Sequence, residues 1–202
     1  MQRAVPSLAC DCTPETLRIV TAIRESTYPP PPDANNNNTS RAISLGDILG
    51  AGRLLVRNWE RLNGCSNASS HLDAAMLRTI AEAANGLLGL YKTVGVSARI
   101  LPTITTPSRA ATGKNVLGSS GDTPAPVTLQ SDTYLGTHAL DEVEAIMVGR
   151  EALRHSVLLL GEVLHDISKD LGDLGGGDTE DTRAMLDKSS TDMLRLLGRI
   201  NT

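Results

Sequence analysis

The chain is predicted to be all-α, a bundle of about five helices with two long disordered loops, and two observations carry that prediction. Apolar residues recur at steps of three and four over five separate stretches, the period of one helix face. Between those stretches lie two segments, about 29–43 and about 97–133, rich in Pro, Asn, Ser, Thr and Gly, in which no helical period survives. The 202 residues suffice for one domain, and a 40% hydrophobic content is enough to build its core. Only 2% of the residues are aromatic and Phe is absent, so that core has to be aliphatic.

The first helix begins at Thr13, whose hydroxyl can cap free amides, with Pro14 and Glu15 suited to a first turn. Leu17, Val20 and Ile23 are its expected inward side chains. The proline run Pro29 to Pro32 ends it, and the following stretch, with four consecutive asparagines, buries nothing. The second helix spans Ser44 to Gly64, with Leu45, Ile48, Leu49, Gly52, Leu55, Val56, Trp59 and Leu62 on one face. A short polar turn from Cys65 to Ser70 leads into the third, lined by Leu72, Met76, Leu77, Ile80, Ala84, Leu87, Leu88 and Tyr91. Val127, Leu129, Tyr134 and Leu135 are candidates for pinning the second insert.

Asp141 and Glu144 can satisfy the exposed amides of the longest helix, about Asp141 to Leu171. Its line runs through Val143, Ile146, Met147, Arg150, Leu153, Val157, Leu160, Leu164, Ile167 and Leu171, widened by Leu158, Leu159 and Val163. So broad an apolar face predicts a helix at the centre of the bundle. The glycine-rich Gly172 to Asp178 breaks it, and a last helix from Glu180 to Arg199 turns Met185, Leu186, Met193, Leu194, Leu197 and Ile200 inward. Trp59, Leu55, Leu62, Leu88, Tyr91, Leu153, Val157 and Leu160 are the predicted structural core, with Trp59 set against the helix of the last three.

Composition excludes several function classes. Lys plus Arg number 19 against 23 acidic residues, a net charge of −4, which lacks the basic stripe of a nucleic-acid binder. No catalytic constellation is found: His71, His138, His155 and His165 form no metal-binding pair of the HExxH kind, and no serine sits in a GxSxG elbow. His155 and His165 are ten residues apart on one helix, too far to grip one ion. The acidic pairs Asp141 and Glu142, and Asp170 and Asp173, sit at predicted helix ends, where capping and solvation account for them. Gly46, Gly50 and Gly52 fall inside a helical pattern, so they favour close helix approach over a phosphate loop, and Gly175 to Gly177 read as a linker.

The three cysteines, Cys10, Cys12 and Cys65, are too few and too spread for a disulfide framework, which suits a reducing compartment. They could hold a metal only if Cys65 and a fourth ligand, His71 being the nearest, met the CxC pair in space. Scattered thiols are expected not to complete such a site, so no metal, no cofactor and no enzymatic activity are predicted. Neither a secretory signal nor a membrane-spanning stretch is visible in the sequence.

The order of these pieces resembles the C-terminal regulatory region of fungal zinc-cluster transcription factors, specifically the aflatoxin regulatory protein family. The resemblance rests on the CDC of Cys10 to Cys12, the SLGDIL of Ser44 to Leu49, the NWERLNGC of Asn58 to Cys65, the helix through Leu87, Leu88 and Tyr91, and the YLGTHALDEVE of Tyr134 to Glu144. That family opens with a six-cysteine cluster that holds two zinc ions and docks on DNA, which three cysteines in all cannot supply. The resemblance therefore implies the effector half of a regulator of a secondary-metabolite (mycotoxin-type) gene cluster. Its partners would be a coactivator or companion regulatory protein in the nucleus, and DNA would be reached only through a separate zinc-cluster domain. The alternative is a stand-alone helical interaction or small-ligand-binding protein of the cytoplasm, with an apolar pocket between helices.

Overall fold

A computed structural model describes residues 10–27, 44–97, 134–135, 138–174 and 179–202. The helices are α1 (Cys12–Thr27), α2 (Leu45–Asn63), the single-turn α3 (Ala68–His71), α4 (Ala74–Ser97), α5 (Glu142–Leu174) and α6 (Glu180–Ile200). A two-residue antiparallel ladder, β1 (Tyr134–Leu135) on β2 (His138–Ala139), precedes α5. The all-α bundle expected from the periodicity is what forms. Both predicted inserts lie outside the described residues, apart from Ser97, which closes α4, and so do Val127, Leu129 and the Gly175 to Gly177 run.

The helix starts follow capping chemistry. Ser44 accepts from the Asp47 amide while Asp47 reaches back to the Ser44 amide, a reciprocal box that fixes the first turn of α2. Asp141 and Glu144 do the same for α5, at 2.8 and 3.0 Å. Asp73 caps α4 by accepting from the Met76 amide at 2.8 Å.

The central helix is α4, which packs against α1, α2, α5 and α6, whereas α5 packs against α2, α4 and α6. The breadth of its apolar face predicts α5 for that place, and the structure gives it to α4. What suits α4 to the middle is its buried alanines, Ala81, Ala83 and Ala84, which let neighbours approach on several sides and contribute little to a hydrophobic stripe. The α5 helix, at roughly 50 Å, is longer than α4 at roughly 36 Å, and its described buried line begins only at Gly149. Val143, Met147 and Leu158, expected inward, are exposed, because at 3.6 residues per turn they fall on the side of α5 away from Gly149, Leu153, Leu160 and Ile167.

Leu55, Trp59, Leu62, Leu88, Tyr91, Leu153, Val157 and Leu160 are all buried in one continuous cluster. The Trp59 indole N–H donates to Asp166 of α5 at 3.2 Å, so the polar edge of the ring lies beyond the Leu153 to Leu160 stretch, towards the C-terminal half of that helix. Two further inward assignments change, and one helix boundary. On α1, Thr16 is buried and Leu17 exposed, because the Thr16 hydroxyl donates to the Cys12 carbonyl at 2.8 Å and accepts from Asn58 at 2.8 Å. On α6, Leu196 is buried and Leu194 exposed, the inward line running through Thr182, Leu186, Ser189, Leu196 and Ile200. Gly172 belongs to α5, which continues to Leu174.

An ion pair between Lys92 and Asp192, 2.8 Å, joins α4 to α6. The Lys92 hydrogen bond holds the Asp192 carboxyl below its usual range against the opposing effect of burial. A carboxylate depressed on folding stabilises above its unfolded pKa of about 4, and that contribution is lost as pH falls through the folded value. Both partners are partly exposed, so Asp192→Asn is expected to cost at most about 1 kcal/mol at neutral pH. Urea unfolding should show the gap between wild type and variant closing in acid; a gap that widens there would contradict the pairing.

Candidate functional site

The chemistry-bearing side chains converge where the start of α1 meets the α2–α3 connection. The C-cap Gly64 ends α2, its amide bonding to the Glu60 carbonyl at 2.9 Å, and the chain turns so that Cys65 follows directly. The Cys65 amide bonds to the Leu62 carbonyl and its carbonyl accepts from the Ala68 amide, a tight path into α3. His71 is the last residue of that single turn. From the other side come Cys10, just before α1, and Cys12, its first residue.

One ligand atom from each of Cys10, Cys12, Cys65 and His71 lies within 4.8 Å of all the others. The Cys10 Sγ is 3.5 Å from Nδ1 of His71. The His71 Nε2 is buried without a hydrogen-bond partner among the described residues. Cys12 is in the core, while Cys10, Cys65 and His71 are half-buried, and all three cysteines are free.

The thiols differ in character. The Cys12 backbone amide, donating to Cys10, holds that thiol below its usual range, and burial opposes the effect. Burial pushes the Cys12 thiol up to about 11, with Cys65 and Cys10 as its further neighbours. The expectation of no metal rested on scattered thiols, and in the fold they are not scattered. The spacing CxC…CxxxxxH left the convergence of two distant segments open, and the single turn of α3, which carries His71 back towards Cys65, had no periodic signal.

The other candidate groups stay apart. His155 and His165 lie exposed on α5, and His138 is in β2. Asp141 is a capping residue and Glu142 is exposed at the first turn of α5. Asp170 has its carboxyl raised by burial first and then by Asp166 and Asp173, as expected of three acids on successive turns of one helix. Gly46 and Gly50 meet no neighbouring helix, and only Gly52 of the three faces another helix, at the Tyr91 hydroxyl.

The broad groove between α1, α4 and α6 is the place where a small-ligand pocket would be sought. Arg24 with Glu82, 2.6 Å, and Lys92 with Asp192, 2.8 Å, line it, while Ile23, Leu88 and Met185 supply its apolar part. It is an open groove edged by ion pairs, unlike an enclosed apolar site. No described helix is long and apolar enough to cross a membrane. Comparison with protein-family models, with curated proteins and with solved structures finds no match.

Proposed function

We propose that this chain is the regulatory effector module of a fungal zinc-cluster transcription factor controlling a secondary-metabolite gene cluster, acting without enzymatic chemistry through a helix face in the nucleus. Two kinds of support carry different parts of the reading. The regulatory part rests on the motif order from Cys10 to Glu144. The contact part rests on one observation: Val143, Met147 and Leu158 lie 65%, 66% and 41% exposed along the outward line of α5, whose opposite face is in the core. The Glu151 and Arg154 ion pair, 2.9 Å, is interposed on the same line. Large apolar side chains at helical spacing, with paired charges among them, are how a helix face receives an amphipathic partner segment. The partner in this reading is a coactivator or companion regulator.

A tethering assay tests it. Fused to an unrelated DNA-binding domain in a fungal host, the chain is expected to shift reporter output relative to that domain alone. The double variant Val143→Asp, Met147→Asp should return output to the baseline while helicity and melting temperature hold, since neither side chain contributes to the core. A fusion indistinguishable from the tethering domain contradicts the regulatory reading; a double variant that still regulates moves the contact off α5. Without the tether the chain, at a net charge of −4, should give no sequence-specific mobility shift at physiological salt.

A further inference from the structure

We propose that Cys10, Cys12, Cys65 and His71 form a tetrahedral site for one zinc ion, which clasps the start of α1 to the connection between α2 and α3. The inference stands apart from the regulatory reading and involves no residue of the exposed α5 line.

The geometry is that of a ligand set. Zinc binds thiolate at about 2.3 Å and imidazole at about 2.0–2.1 Å, so a tetrahedron of three sulfurs and one nitrogen has edges of roughly 3.5–3.8 Å. The Cys10 Sγ to His71 Nδ1 separation of 3.5 Å is already such an edge. The remaining separations, none above 4.8 Å, need only a small inward rotation of the side chains. Mere packing of thiols explains this less well. A disulfide would use two of the three sulfurs and leave both the third and the imidazole without a role. The His71 ring sets its Nδ1 on Cys10, while its buried Nε2 has no hydrogen-bond partner among the described residues.

The donor set selects the ion and its role. Thiolate with imidazole favours zinc over magnesium or calcium, which take oxygen ligands. Four protein ligands close the coordination sphere, the mark of a structural site with no position left for substrate. Binding forms four coordinate bonds, with the three thiol protons passing to solvent and the imidazole entering neutral. The clasp links segments remote in sequence, so it restrains the unfolded chain more than the folded one.

The test uses the full chain, purified with reductant, and cobalt(II) as the spectroscopic probe before zinc(II). One cobalt per chain is expected, with the intense visible bands of tetrahedral cobalt thiolate, bleached when zinc displaces it. Zinc should then survive gel filtration at one per chain and raise the melting temperature. Cys65→Ser and His71→Ala should each lose stoichiometric zinc, and His71→Cys should restore it. Since Cys12 belongs to the core, His71→Ala on the half-buried rim keeps the test free of a folding failure, with circular dichroism verifying helicity. A helical, reduced chain that gives no tetrahedral cobalt bands overturns the proposal. So does zinc retained equally by wild type, Cys65→Ser and His71→Ala.

Discussion

Trp59→Ala is expected to unfold the bundle or leave it marginal. The ring is 3% exposed and belongs to the same cluster as Leu55, Leu62 and Leu160. Truncating a buried aromatic costs about 3–5 kcal/mol, against a total of roughly 5–15 kcal/mol for a domain. The loss is aggravated by scarcity, because a chain without Phe has few large rings from which to rebuild the contact between α2 and α5. Trp59→Phe separates packing from polarity. It keeps a ring in place and gives up the indole N–H to Asp166, a bond whose net worth is about 0.5–1.5 kcal/mol, and less here because Asp166 is exposed and recovers water. Urea unfolding followed by circular dichroism should rank wild type just above Trp59→Phe and far above Trp59→Ala. Equal stability of all three would mean that the ring contributes nothing to the core. Deleting Asn35 to Asn38, outside the described residues, should by contrast barely move the melting temperature, since closure entropy depends weakly on loop length.

Stripes of large aliphatic residues were legible because burial of Leu, Ile and Val at helical spacing has few alternatives, and α2 and α4 follow their predicted faces closely. The failures have a common physical origin, in that hydrophobic periodicity does not register small or polar residues that go inward. Thr16, Asn58, Thr182 and Ser189 are buried. Thr16 and Asn58 satisfy each other, and Ser189 bonds to the Met185 carbonyl and to Asn85, so each fills an interior position that a polarity pattern assigns to solvent. Leu17 and Leu194 are exposed although the pattern places them inward, for the converse reason that a leucine near a stripe looks like part of it. Val143 and Met147 sit at the edge of the broad apolar stripe of α5, and which part of so wide a stripe is buried depends on where the partner helices pack, which no local window contains.

The thiol and imidazole cluster was illegible for a different reason. The four residue types make a possible ligand set in the sequence, but whether they meet depends on how α1 docks beside the end of α2, a matter of packing between helices far apart in sequence. Asn58 is part of that docking. Its amide donates to Thr16, one turn beyond Cys12, and so fixes the axial position of α1 against α2 near the cysteines. A buried polar pair can set register in this way because misalignment leaves both groups unsatisfied.

Gly52→Ala is expected to destabilise the bundle, and Tyr91→Phe is expected to restore most of the loss. Gly52 is buried on the face of α2 towards α4, and a Cβ added there would overlap the Tyr91 hydroxyl and come within 3.3 Å of the ring carbon that bears it. Tyr91 is fully buried and rigid, so the ring cannot swing aside as the Met193 side chain could at Gly161. In solvent-exposed helix positions Gly→Ala gains helix propensity, up to about 1 kcal/mol. Overpacking a core costs about 1–3 kcal/mol, which exceeds that gain and decides the sign. The Tyr91 hydroxyl has no hydrogen-bond partner among the described residues, and burial pushes its ionisation up to about 12 despite Ser156 and Arg53 nearby. Removing it in Tyr91→Phe therefore forfeits little, and it clears the overlapping atom. In the double variant the propensity gain survives with only the 3.3 Å contact left to relax. A double-mutant cycle read by urea unfolding should return a favourable coupling of about 0.5–3 kcal/mol between the two positions. Additive effects would place Tyr91 away from Gly52 and contradict the α2–α4 packing, whereas Gly50→Ala, which meets no neighbour within 4 Å, should show only the propensity gain.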